Sequence, residues 1–146
     1  MTSSLDAWVA LPRPAAITAK KRLFCFPFAG GGATAYRKWA GSLGPHIEVC
    51  AIQLPGRESR LLDPALDDVD ALVAALLEHL PSYFDRPYAF YGHSMGALLA
   101  FELTRSIEKL DGLRRPTPTN VTTKIPFIGT KALGLREIDI VTPVAF

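Results

Sequence analysis

PYAFYGHSMGALLAFEL, residues 87–103, decides how the rest of the chain is read. Pro87 to Tyr91 is a short apolar run suited to a strand, and Ala97 to about Lys109 carries Leu98, Leu99, Phe101, Leu103 and Ile107 in a helical segment. Between them Gly92-His93-Ser94-Met95-Gly96 matches G-x-S-x-G, a pattern that acquires chemical meaning in this strand-turn-helix setting. A serine at the tip of such a strained turn has its hydroxyl exposed above the sheet, and glycines two residues to either side keep side chains from colliding with neighbouring elements. Ser94 is the candidate nucleophile, with Gly92, His93 and Gly96 forming the elbow. The plainer alternative, a turn that happens to contain serine, does not account for the elements around it.

Upstream, the same alternation repeats. Arg22 to Phe28 is almost continuously apolar, as in a strand covered on both faces. Ala29-Gly30-Gly31-Gly32 follows, and Tyr36, Trp39, Ala40 and Leu43 recur at the spacing of one helix face, which predicts a helix over 36–43. Ile47 to Leu54 is a second strand between Gly44-Pro45 and Pro55-Gly56. Asp67 to Leu80 carries Val69, Leu72, Val73, Leu76, Leu77 and Leu80 on one stripe, with acidic residues at its start and Pro81 beyond its end. Strands alternating with helices of this length predict an α/β fold of three central parallel strands with helices on both faces.

The character changes after Asp111. Residues 1–110 read as one unit and 111–146 as a divergent tail: Gly112 to Lys124 is rich in Pro, Thr and Arg, while Ile125 to Ile128 and Ile138 to Val141 could each form a strand.

With 146 residues and 49% hydrophobic content the chain has the material for one core, and a formal charge of +2 spread over short mixed runs does not suggest nucleic-acid binding. Met1 to Leu11 lacks the pattern of a secretory leader, and no apolar run approaches the roughly 18 residues of a membrane span, so a cytoplasmic location is expected. Cys25 and Cys50 each lie within an apolar strand and read as small core residues; without neighbouring histidine pairs they form no metal site.

A serine nucleophile needs an oxyanion hole and a base. In this strand-turn-helix arrangement one oxyanion N–H comes from the residue after the nucleophile, Met95, and the other from the loop after an earlier strand, where Ala29 or Phe28 would supply it. Gly30-Gly31-Gly32 has neither G-x-G-x-x-G spacing nor a Gly-Lys-Ser/Thr ending, so a phosphate cradle is not indicated; a purely structural turn stays open. His93 sits beside the nucleophile and projects away from it, His79 flanks the apolar stripe of its helix, and His46 lies in a Gly-Pro loop. None reads as the base.

LFCFPFAGGGATAYRKWA, then AIQLPGRESR, then FYGHSMGALLAFEL, in this order, resemble the type II thioesterases, stand-alone editing enzymes of polyketide and nonribosomal peptide assembly lines with the α/β-hydrolase fold. The resemblance covers Trp8 to Ile107. It implies hydrolysis of acyl thioesters on the phosphopantetheine arm of an acyl or peptidyl carrier protein, without metal or cofactor, Ser94 matching the nucleophile and Met95 and Ala29 the oxyanion donors. Arg57 and Arg60 match a family block and are expected to anchor the loop after the second strand.

Family members continue through further strands that carry a catalytic Asp and, near the end, a catalytic His. This chain has Asp111 and Asp139 but no histidine after His93, so it reads as a truncated form of the fold with impaired turnover. In triad enzymes only about 10³ to 10⁴ over water survives loss of the triad. The alternatives are a non-catalytic remnant that binds a carrier protein and, less favoured because Phe28-Ala29 precedes the glycines where many esterases have His, a general carboxylesterase.

Overall fold

The computed structural model describes residues 7–12, 19–43, 45–114 and 127–129. Five strands form one sheet: β1 (Val9–Ala10), β2 (Lys21–Phe26), β3 (Ile47–Ile52), β4 (Tyr88–Gly92) and β5 (Phe127–Gly129), in the order β1-β3-β2-β4-β5. The expected trio β3-β2-β4 is central and parallel, with Leu23 level with Val49 and with Ala89. The short β1 runs antiparallel on β3, Val9 opposite Ile52, and β5 runs parallel along the outer side of β4 with Ile128 opposite Tyr91. β5 overlaps one of the two tail segments expected to form a strand; the other, 138–141, lies outside the described residues, as does most of 112–124.

Alternate strand residues separate onto two faces, as the pleat requires. Phe24, Phe26, Cys50, Ile52 and Phe90 pack with Leu72, Val73, Leu76, Leu99 and Leu103 of α2 (Val69–His79) and α3 (Met95–Arg114). Cys25, Val49 and Ala51 face the other way, onto Ala33, Tyr36 and Ala40. Helices therefore cover both sides. Asp68 caps α2, its carboxylate accepting from the Ala71 N–H at 3.1 Å, and Pro81 follows its end.

The helix expected over 36–43 is broken in two: a 3-10 turn at Ala33–Tyr36 and a single α turn, α1 (Trp39–Ser42). Residues i and i+3 share a face in both helix types, so the apolar spacing did not distinguish them. The helix after the elbow, α3, runs to Arg114, beyond the end expected near Lys109.

Beneath the sheet, at the starts of the strands, Glu48 is buried and accepts a 2.6 Å hydrogen bond from Arg22 Nε, while Arg22 Nη1 also donates to the Tyr83 carbonyl and to Asp85. Burial alone would lower the Arg22 pKa; the bond and charge of Glu48 outweigh it, and the guanidinium is held above its ordinary value. Both cysteines are free and buried, and burial pushes Cys25 up and Cys50 up to about 12, so they are inert thiols. Among the described residues no helix is long and apolar enough to cross a membrane.

Candidate active site

Phe26 at the end of β2 is in register with Gly92 at the end of β4, so the chain leaving each strand emerges side by side at one rim of the sheet. From β4 comes the elbow. Ser94 has φ 58, a left-handed conformation that costs a non-glycine residue about 1–3 kcal/mol and must be held by its surroundings. A Cβ on Gly92 would overlap the backbone of Gly96 and Ala97, and one on Gly96 would overlap the Phe26 carbonyl and stand 2.6 Å from the Pro27 carbonyl oxygen. The turn closes on itself and on β2 more tightly than any side chain permits.

Hydrogen bonds complete the lock. His93 N–H donates to the Phe26 carbonyl at 3.2 Å, Gly96 N–H to the His93 carbonyl at 2.9 Å, and Ala97 N–H to the Ser94 carbonyl at 3.0 Å. The Phe26 carbonyl also accepts from the buried Tyr36 hydroxyl at 2.6 Å. Burial, with lesser contributions from Cys25 and Tyr91, pushes the Tyr36 phenol upward, so it remains a donor. Met95 opens α3, where first-turn N–H groups have no intrahelical acceptor and the helix presents its positive end.

From β2 comes the glycine loop. Gly31 N–H donates to the Phe28 carbonyl at 2.9 Å, closing a turn in which Gly30 has φ 82. The exposed Phe28 ring lies over Gly31, where a Cβ would come within 2.9 Å of it, and stands 5.4 Å from the His93 ring. Phe28, Ala29, His93, Ser94 and Met95 thus share one rim, with Ser94 and Met95 half-buried.

Two residues that the sequence reading did not single out brace this loop. Gln53 is 3% exposed; its Oε1 accepts from the Ala33 N–H at 2.9 Å while its Nε2 donates to the Arg57 carbonyl at 3.0 Å. The Glu58 carboxylate accepts from Thr34 N–H at 3.3 Å and Thr34 Oγ1 at 2.5 Å, and lies so close to Gly32 that a Cβ there would be 2.6 Å from Oε1. Arg60 is the side-chain anchor of the loop after β3: it donates to the Gln53 carbonyl at 3.2 Å and to Asp63 at 2.6 Å, and stacks 4.4 Å above Trp8. Arg57, expected to share that role, contributes its carbonyl, which accepts from Gln53 and from Arg60 N–H at 2.7 Å. No periodic signal marks Gln53 or Glu58; only their place beside Pro55-Gly56-Arg57 could have drawn attention to them.

The three histidines are dispersed. His46 is exposed before β3, at the opposite end of the strands, its carbonyl accepting from Lys20 N–H at 3.1 Å. His79 stacks on Trp8 with ring centres 5.2 Å apart. His93 is exposed against Phe28. Among the described residues no histidine hydrogen-bonds to Ser94, and no group of three metal-ligating side chains is present.

Comparison with known proteins gives this rim a context. The thioesterase domain family is matched over residues 21–116. The chain is 48% identical over 91 residues to the gramicidin S biosynthesis protein GrsT of Aneurinibacillus migulanus, covering 62% of this chain and 36% of that protein. Its fold matches the type II thioesterase BorB from the borrelidin biosynthetic cluster with a TM-score of 0.67 at 42% identity, covering 76% of this chain and 46% of that one. YbtT, a type II thioesterase from the yersiniabactin NRPS/PKS biosynthetic pathway, matches with a TM-score of 0.63 at 31% identity, over 72% of this chain and 43% of its own. The chain spans less than half the length of each of these relatives.

Proposed function

This chain belongs to the thioesterase family, with type II thioesterases among its relatives, and from that membership we propose that Ser94 is the nucleophile for acyl groups carried as thioesters on the phosphopantetheine arm of an acyl or peptidyl carrier protein in the cytoplasm. The observation that carries this reading is the left-handed Ser94, on a turn that admits no side chain at Gly92 or Gly96, set beside the glycine loop of β2.

Attack by Ser94 Oγ on the thioester carbonyl forms a tetrahedral oxyanion, which the N–H groups of Met95 and of Ala29, or Phe28, receive. Collapse expels the carrier thiolate and leaves the acyl group on Ser94; water then releases it. Oxyanion donors of this kind are worth about 2.7–4 kcal/mol each. The proton lost by Ser94 needs a base; His46 and His79 are held elsewhere, and His93, beside Ser94 on the elbow, lies against Phe28 without a hydrogen bond to the serine. We therefore place the base and its carboxylate partner outside the described residues, and expect the chain as given to acylate slowly and turn over poorly.

The test is hydrolysis of an acyl-N-acetylcysteamine thioester by the full chain beside its Ser94→Ala variant. A rate that depends on Ser94 supports the reading. Equal rates, together with retained binding of a loaded carrier protein, favour the second reading, a carrier-binding remnant without chemistry.

A further inference from the structure

We propose that Glu58 and Gln53 are positioning residues that set the conformation of the 28–34 loop and so aim its oxyanion N–H at the carbonyl attacked by Ser94; this rests on the nucleophile reading above. Among the described residues two non-glycine positions have positive φ, Ser94 at 58 and Glu58 at 40. Both lie on loops leaving the same ends of the parallel strands. Strain of this sort persists only where the surroundings hold it, and it clusters at functional sites.

At Glu58 the strained backbone has a specific product. It turns the carboxylate across a gap of 24 residues onto Thr34, where it takes both the N–H and the hydroxyl, and against Gly32, which has no side chain to obstruct it. Gln53 reaches the next amide, Ala33, from beneath, and its own amide group is fixed by the Arg57 carbonyl. Arg60 in turn holds the Gln53 carbonyl. The loop from β3 is thus a brace, with two consecutive amides of the glycine loop, Ala33 and Thr34, tied to two side chains of it. Among the described residues the backbone of the exposed end of that loop, Phe28 to Gly30, is tied by one hydrogen bond, from Gly31 N–H to the Phe28 carbonyl, with the Phe28 ring resting against His93. Without the brace the N–H of Ala29 or Phe28 has no fixed direction, and displacement of a reacting partner by about 1 Å is enough to lose roughly 100-fold in rate.

Glu58→Gly separates this role from a merely structural one. It removes the carboxylate with its two hydrogen bonds to Thr34 and also relieves the positive φ, so the two effects on stability oppose each other while the positioning is lost. The experiment compares fluorophosphonate labelling of Ser94, by intact mass against time, in the parent, Glu58→Gly, Glu58→Gln and Gln53→Leu, with melting temperature recorded for each. The expected result is a fall of roughly 10- to 100-fold in the labelling rate of Glu58→Gly at a melting temperature close to the parent's, with most of the rate retained in Glu58→Gln, whose amide oxygen still accepts from Thr34. A Glu58→Gly variant labelled as fast as the parent overturns the proposal. Should parent Ser94 react no faster than the Ser94→Ala control, the nucleophile reading fails on its own, and hydrogen exchange of the Ala33 and Thr34 amides judges the brace: faster exchange confined to residues 28–35 in Glu58→Gly and Gln53→Leu supports it, and unchanged exchange overturns it.

Discussion

Replacing Gly96 by alanine tests the elbow's geometry with a single methyl group. Gly96 is the second residue of α3, and in an ordinary helix alanine there would stabilise by about 1 kcal/mol. Here the new Cβ overlaps the Phe26 carbonyl and lies 2.6 Å from the Pro27 oxygen, both backbone atoms that cannot swing aside as a side chain can. Forcing a methyl group into packed space costs about 1–3 kcal/mol. Moving the Phe26 carbonyl also weakens two hydrogen bonds, from His93 N–H and Tyr36 hydroxyl, each worth about 1 kcal/mol net. Set against the helix gain, the balance is a loss of about 2–4 kcal/mol. Gly41→Ala is the control, since Gly41 lies in α1 with nothing near its Cβ position and should be neutral or stabilised by up to about 1 kcal/mol. Urea denaturation followed by tryptophan fluorescence measures both. A Gly96→Ala variant as stable as Gly41→Ala would refute the claim that β2 and α3 meet too closely at the elbow for any side chain.

Two further outcomes follow from the buried groups. Glu48→Leu leaves Arg22 largely buried with Asp85, the Tyr83 carbonyl and the Tyr83 ring as partners but without its buried carboxylate, and should cost about 3 kcal/mol, whereas Arg22→Leu with Glu48→Leu should recover most of it; a single variant as stable as the double would contradict the pairing. Cys25 and Cys50 have raised folded-state pKa values, so their contribution to stability is complete below the ordinary thiol value of 9.0 and declines as pH rises above it. Folded protein at pH 8 should resist iodoacetamide, and stability should fall between pH 9 and 10.5 by up to about 1.4 kcal/mol per pH unit per thiol, less steeply in a Cys25→Ala/Cys50→Ala variant. Rapid alkylation of the folded chain would show that the thiols are not buried.

What could be read from the sequence depended on how local its cause is. β2, β3 and β4 are covered on both faces, so their apolar runs stand out without any knowledge of partners. The elbow was legible because its glycines answer to sterics within five residues and to one neighbouring strand. β1 is two residues long and exists through pairing with β3, which Val9-Ala10 does not announce. The break between the 3-10 turn and α1 was hidden because Tyr36, Trp39 and Ala40 face the core in either helix type, Tyr36 and Trp39 meeting edge-on at 5.1 Å. The brace on the glycine loop was hidden for another reason: Gln53 and Glu58 are polar residues whose partners lie 20 and 24 positions away, a relation set by the parallel register of β2 and β3 and by no pattern along the chain.

The claim on which the account turns is that Ser94 is the nucleophile, and the most direct measurement is the intact mass of the chain and its tryptic peptides after exposure to a fluorophosphonate, beside Ser94→Ala. One adduct per chain, on the peptide containing Ser94 and absent from the variant, is the predicted result. An unmodified Ser94, or an adduct that persists in Ser94→Ala, would contradict it.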